Sequence, residues 1–313
     1  MGSRGETGAL HQPSDTMAQT RALVEHRASI IVVSSHVARG TVGNRAAAHA
    51  IEALGHPVWS VPTVLLPWHP GQGAGTRVRW PEGAFASLLD DLAASERLSE
   101  VGALLSGYLG GPDQPAAISH LVAGAKVKRD AIYCCDPVIG NERGRYVDRA
   151  IAEGIRDGLV PIAGIATPNR FELAWLLGRS VPETPTEVAR LAAKLGPPTV
   201  LVTSATVADD TIGTVLVHGD LVLIASHRRI NAPNAGTGDL VAALFLARTL
   251  EGEEPADALR LALSGAAEAV AAEAAIGADE LPLERIHERL REPRFPVTVE
   301  RLDVPLAGPR GAA

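Results

Sequence analysis

The sequence predicts an α/β fold of three layers: a mostly parallel central sheet, helices on both of its faces, and an antiparallel edge. Three observations carry that expectation. Short β-branched runs alternate with longer helix-forming stretches from residue 29 to residue 291, the pattern of a sheet built from strand–helix–strand units. The first run, SIIVVS at 29–34, is apolar between its two terminal serine positions, as a buried strand requires. Further on, two β-branched runs are joined only by His218-Gly219-Asp220, a hairpin connection that turns the chain antiparallel.

Taken in order, residues 29–34 are the first strand, and 44–54 form a helix that ends at Gly55. Strands are expected at 101–105, 131–136, 164–167 and 199–203. Helices are expected between them at 114–128, 148–158, 170–177 and 186–195, all rich in helix formers. Residues 211–217 and 221–226 make the hairpin, and helices at 238–250, 255–275 and 284–291 close the fold. No internal repeat or central linker divides the 313 residues, so one domain is expected over 29–295. Residues 1–28 hold Gly, Ser, Thr, Gln and charges without a sustained apolar run, and read as a flexible extension rather than a secretory signal; Met17 offers an alternative start. The tail at 296–313, rich in Pro, Gly and Arg, is expected to lie outside the domain.

Composition narrows the function classes. Hydrophobic residues make up 46% of the chain and aromatics only 4%, so Ala and Leu must fill the helices. A net charge of −7 argues against a nucleic-acid or anionic-membrane surface. No stretch approaches the roughly 20 apolar residues of a membrane-spanning helix. Cys134 and Cys135 are adjacent in an expected strand, where neighbouring side chains point to opposite faces. Without a disulfide framework or a CxxC pattern, a reducing cytoplasm is the expected home.

The polar residues collect where such a fold binds ligands, at the C-terminal ends of the strands. Ser34, Ser35 and His36 end the first strand; Ser106-Gly107-Tyr108, Asp136-Pro137, Thr167-Pro168-Asn169 and Thr203-Ser204 end four others. Gly236-Thr237-Gly238-Asp239 runs straight into an apolar helix. Small residues at a helix N-terminus expose backbone N–H groups to an anion. A carboxylate within that anion site is hard to explain as packing, and it fits a base acting beside a transferring phosphate. The plainer alternative is an Asp that favours the helix dipole. Glu172 also reads as a first-turn helix residue, Asn44 as an N-cap, and Cys135 as buried filler.

These motifs carry a resemblance. Ser35-His36-Val37 with Gly40 and Val42-Gly43-Asn44-Arg45-Ala46-Ala47, then Ser106-Gly107-Tyr108-Leu109-Gly110, Cys135-Asp136-Pro137-Val138-Ile139-Gly140, Thr167-Pro168-Asn169 with Glu172, and Gly236-Thr237-Gly238-Asp239 stand in family order. Over about residues 29–295 the chain resembles the pyridoxal kinases of the ribokinase-like superfamily. That resemblance implies ATP-dependent phosphorylation of the 5′-hydroxyl of pyridoxal by a cytoplasmic, homodimeric enzyme. It implies Asp239 as the base, with the N–H groups of Gly236, Thr237 and Gly238 holding the γ-phosphate, each such donor worth roughly 3 kcal/mol. It places Ser35, Val42, His69 and Tyr108 at the substrate, and Asn169, Thr203 and Ser204 at the nucleotide. Asp136 and Glu172 would organise Mg²⁺ through water, and Thr167 and Thr203 would sit at a K⁺ site.

The lid departs from the family: Pro67-Trp68-His69-Pro70-Gly71-Gln72 replaces a Ser-Asn-His-Thr-Gly-Tyr pattern, and Asn141 replaces a frequent acidic residue. A hydroxymethylpyrimidine kinase shares the fold but usually carries Cys where this chain has Asp239. A non-catalytic B6 carrier would have no need of that base. A dinucleotide-binding oxidoreductase lacks its glycine fingerprint here.

Overall fold

The computed structural model describes residues 27–306 apart from Asp209 and Asn234. In chain order the strands are β1 Ser29–Val37, β2 Val58–Leu66, β3 Val101–Ser106, β4 Ile132–Cys135, β5 Gly140–Asn141, β6 Gly144–Arg145, β7 Ile165–Ala166, β8 Thr199–Val207, β9 Thr211–His218, β10 Leu221–Arg228 and β11 Thr298–Arg301. The helices are α1 Asn44–Ala53, α2 Ala84–Ala94, α3 Gln114–Arg129, α4 Arg149–Gly154, α5 Arg170–Leu177, α6 Pro185–Ala192, α7 Thr237–Leu250, α8 Pro255–Ile276 and α9 His287–Arg291.

Nine strands form one sheet in the order β11-β10-β9-β8-β7-β4-β3-β1-β2. The six from β8 to β2 in that order run parallel, and β9, β10 and β11 are added antiparallel. This is the ribokinase-like architecture that the resemblance implied.

Period-two geometry divides the core between the two faces. Ile30 and Val32 pack with Ala46, Ala50, Leu244 and Phe245 of α1 and α7. Ile31 and Val33 pack with Phe85, Leu89, Ile118 and Leu121 of α2 and α3 on the opposite face. A strand covered on both sides has no polar face, which is why β1 reads as a continuous apolar run. Cys134 and Cys135 likewise join opposite clusters, and burial pushes both thiols up, Cys135 to about 12. They are core filler.

The structure corrects several boundaries. β2 was not anticipated, because Pro62 interrupts its pattern; it is the edge strand, where proline is tolerated. The segment set apart as a tail from 296 contributes β11, with Val299 opposite Ala225 of β10, so the sheet extends beyond the expected end of the domain. Its Pro- and Gly-rich flanks hide a β-branched Thr298-Val299 pair. The expected helix at 284–291 begins as a short 3₁₀ turn at Leu283–Arg285 before α9. Asn44 is not an N-cap: Gly43 occupies that place. The Asn44 amide instead donates to the Ser34 and Val61 carbonyls at 2.6 and 3.1 Å, tying β1 to β2. Most of the expected N-terminal extension, residues 1–26, lies outside the described residues, as do 307–313.

Candidate active site

The crevice is built around the first turn of α7. Gly236 is its N-cap at φ 88°, a left-handed conformation that glycine takes without strain. A Cβ there would lie 2.2 Å from the Thr41 carbonyl oxygen and 3.2 Å from Val42 Cγ1, so α7 starts hard against the loop that follows β1. At Gly238, by contrast, nothing lies within 4 Å of where a Cβ would sit. The helix therefore opens onto the crevice with its first-turn amides, which have no intrahelical acceptors.

Asp239 stands in that turn. Its Oδ2 accepts the Gly43 N–H at 2.9 Å. Burial raises its pKa to about 6 despite the lowering effect of that N–H, a value suited to a base working near neutrality. Its other oxygen faces the end of β3: a Cβ on Gly107 would come within 3.6 Å of Oδ1 and 2.6 Å of Ser34 Oγ. Ser34 Oγ accepts the Tyr108 N–H at 3.1 Å, and Ser35 is buried beside Gly43. Ser34, Ser35, Val42, Tyr108 and the base thus stand together between the loop after β1, the end of β3 and the start of α7.

Two more carboxylates lie deeper. Asp136, buried past the end of β4, accepts the Thr167 hydroxyl at 2.9 Å. Burial, then the charges of Glu172 and Asp239, push its pKa well above the carboxylate range. Glu172 accepts backbone N–H groups from Ile139 and Asn169, each at 2.9 Å, and from Gly140 at 3.2 Å. Burial outweighs these donors and carries its pKa to about 7. Like charges confined together out of water favour a cation. Glu172's oxygens are already engaged by backbone, and among the described residues no three His, Cys, Asp or Glu side chains could grip one metal ion together. The donor set therefore fits Mg²⁺ held through its water shell, not a direct protein cage.

Asn169 is the N-cap of α5 and forms a reciprocal capping box with Glu172. Its Oδ1 accepts the Glu172 N–H at 2.9 Å and its Nδ2 donates to the Gly140 carbonyl at 2.8 Å. Both side-chain groups implied to face a nucleotide are thus spent on holding the Asp136–Glu172 corner. Thr203 and Ser204 line a separate cleft beside Thr237, Gly238, His227 and Arg229, with an apolar floor from α7 and α8. Ser204 takes the left-handed region at φ 49°, a strained backbone for a non-glycine residue.

His69 sits apart from this group, on the segment after β2. Its Nδ1 accepts the Gly71 N–H at 3.2 Å and caps the 3₁₀ turn Pro70–Gln72. Burial lowers its pKa, so it is a neutral cap. The same segment reaches Tyr108 through Arg77, whose Nη1 donates to the tyrosine hydroxyl at 2.7 Å and whose guanidinium lies 5.6 Å from the ring centroid. It reaches the loop after α8 through Arg39, which donates to Gln72 at 3.1 Å and to both oxygens of Asp279 at 2.8 and 3.0 Å. Sequence reasoning gave no role to Gly43, Arg77, His227 or Arg229. Only Gly43 carried a signal, as a glycine directly before the Asn44 that opens a helix.

Fold and crevice together define a phosphotransferase of the ribokinase-like class. A family model described as phosphomethylpyrimidine kinase matches residues 103–284. The chain is 33% identical over 281 residues to pyridoxal kinase PdxY of Corynebacterium diphtheriae, covering 88% of this chain and 99% of that protein. It is 37% identical over 248 residues to pyridoxal kinase PdxY of Granulibacter bethesdensis, covering 75% and 86%. The solved pyridoxal kinase from Leishmania donovani in complex with ADP and pyridoxamine superposes with a TM-score of 0.81 at 26% identity, over 88% of this chain and 99% of that one. The chain belongs to the pyridoxal kinase family.

Proposed function

We propose that the protein transfers the γ-phosphoryl group of ATP to the 5′-hydroxyl of pyridoxal, giving pyridoxal 5′-phosphate and ADP, with pyridoxine and pyridoxamine as further acceptors. The observation that carries this reading is Asp239: a carboxylate with a pKa raised to about 6 inside a helix N-terminal turn that opens to the crevice at Gly238. Asp239 accepts the proton as the acceptor oxygen forms its bond to the γ-phosphorus and the bond to the ADP oxygen breaks. The N–H groups of Gly236, Thr237 and Gly238 stabilise the charge moving onto the phosphoryl oxygens. Ser35, Val42, Tyr108 and His69 shape the acceptor site, and Thr203 and Ser204 the nucleotide site; Asn169 acts there by fixing Glu172. Asp136 and Glu172 would hold Mg²⁺ through water, and the cation would supply charge neutralisation on the phosphates. Thr167 and Thr203 offer oxygens to K⁺. A cytoplasmic homodimer is part of the same reading.

The matched family model is described as phosphomethylpyrimidine kinase, which keeps a pyrimidine acceptor, represented by hydroxymethylpyrimidine, as the alternative reading. Both readings are separated by one ATP-dependent panel of pyridoxal, pyridoxine, pyridoxamine and hydroxymethylpyrimidine under identical conditions. Pyridoxal is expected to be phosphorylated. Turnover of hydroxymethylpyrimidine with none of any B6 vitamer would sink the proposal.

A further inference from the structure

We infer that Gly43 is the positioning residue of the base: its backbone N–H anchors Asp239 Oδ2, which leaves Oδ1 as the oxygen that takes the proton from the acceptor hydroxyl. The inference rests on the reading of Asp239 as the base and goes beyond it by assigning the two carboxylate oxygens different work. Three observations carry it. The Gly43 N–H lies 2.9 Å from Oδ2, and a hydrogen bond to a charged acceptor is among the stronger kind. Gly43 sits at φ 57°, ψ −132°, a backbone region that favours glycine. A Cβ on it would meet the Ser35 carbonyl oxygen at 2.3 Å and Ser35 Oγ at 2.5 Å.

The anchoring amide is itself fixed from the other side. As N-cap of α1, Gly43 receives the Ala47 N–H on its carbonyl at 3.0 Å. Two helices, α1 and α7, therefore begin at the base, one supplying the carboxylate and the other the donor that orients it. Oδ1 is the oxygen turned toward Gly107 at the end of β3, where Ser34 and Tyr108 are hydrogen-bonded. That is the acceptor side of the crevice. Rotation of the carboxylate away from this pose would break the Gly43 bond and swing Oδ1 off the acceptor hydroxyl.

Two measurements test the assignment. In Gly43→Ala the added methyl must displace the turn. If the amide orients the base, kcat falls by about 10²-fold, the cost typical of misplacing a catalytic group by an ångström, and the change in KM for ATP is much smaller than the change in kcat. A merely structural glycine would lower the melting temperature and leave the kcat of the folded enzyme intact. The second measurement keeps the backbone unaltered and needs no turnover. The amide resonance of Gly43 in ¹H–¹⁵N spectra is compared between wild type and Asp239→Asn. Loss of the charged acceptor is expected to move the Gly43 proton upfield more than any other amide of the loop 38–43. If no B6 vitamer is phosphorylated but that resonance moves, the anchor stands and the choice of substrate fails. A Gly43 amide that does not respond, or a folded Gly43→Ala enzyme with wild-type kcat, overturns the inference.

Discussion

Asp239 illustrates how one side chain serves both the helix and the chemistry, and a single substitution separates the two. Asp239→Asn keeps the size and the acceptor for Gly43 but removes the basicity. The expected loss in kcat is about 10²–10⁴-fold, with ATP still bound by the backbone turn. A carboxylate that only favoured the helix dipole would cost about 0.3–1 kcal/mol of stability on substitution and leave turnover near wild type. Steady-state kinetics and melting of the same variant decide between them. The pH profile gives a second check with a definite sign. The base works ionised, so kcat should rise with pH through about 6 and level off above; a profile falling over that range would contradict the assignment. At this scale the sequence was informative because the chemistry demands unusual neighbours: a carboxylate among small residues at a helix start stands out. The partner that orients it did not stand out. Gly43 lies 196 positions away from Asp239, and only the folded chain shows that its N–H points there.

At the scale of elements, the central parallel strands were legible from their apolar runs; the segments missed are the two edge strands β2 and β11, the short β5–β6 pair, and helix α2 on one face of the sheet. β2 contains Pro62 and β11 is four residues long between Pro and Gly, so neither shows the pattern of a buried strand, and edge strands need not. The lid is a second case. Its residues have no periodicity, because the segment is held by side chains: His69 on Gly71, Arg39 on Gln72 and Asp279, Arg77 on Tyr108. Such exposed polar contacts are individually weak, each about 0–1 kcal/mol, so this segment would cost little to move if it closes over the substrate. His69→Ala removes the cap of the Pro70–Gln72 turn, a loss typically of about 1 kcal/mol. KM for pyridoxal should rise more than KM for ATP, since the lid adjoins Tyr108 and not the Thr203–Ser204 cleft. Unchanged Michaelis constants for both substrates would make His69 a bystander. A matched expectation holds at the other side of the crevice. Glu172→Gln weakens the capping box of α5 and the grip on Ile139 and Gly140, so a raised Mg²⁺ requirement should accompany a lower melting temperature. A lower melting temperature with the Mg²⁺ requirement unchanged would confine Glu172 to a structural role.

For the molecule as a whole, three carboxylates gathered beyond the C-terminal ends of the strands set a balance between stability and function. Glu172 has its pKa raised from 4.5 to about 7 and Asp239 from 3.8 to about 6, and Asp136 is raised as well, in each case chiefly by burial. A carboxyl group whose folded pKa lies above its unfolded value is more readily protonated in the native state. Its contribution to stability is present in full below the unfolded pKa and is lost as pH rises through the folded one. The crevice alone therefore weakens the protein between about pH 4 and 7 as its carboxylates ionise. Among the described residues, five histidines with lowered pKa, His36, His49, His56, His69 and His227, act with the opposite sign below their ordinary value, so the raw melting curve mixes the two effects. The difference between Mg²⁺ and EDTA removes the histidines to first order, because the cation acts on the carboxylates. Ligand that binds only the native state raises stability in proportion to its affinity, and that affinity grows as Asp136 and Glu172 lose their protons. The rise in melting temperature caused by Mg²⁺ is therefore expected to be small at pH 5 and to grow steadily to pH 8, and Asp136→Asn should flatten the growth. A Mg²⁺ effect that is the same at both ends, or shrinks as pH rises, would place the cation elsewhere than beside these three carboxylates.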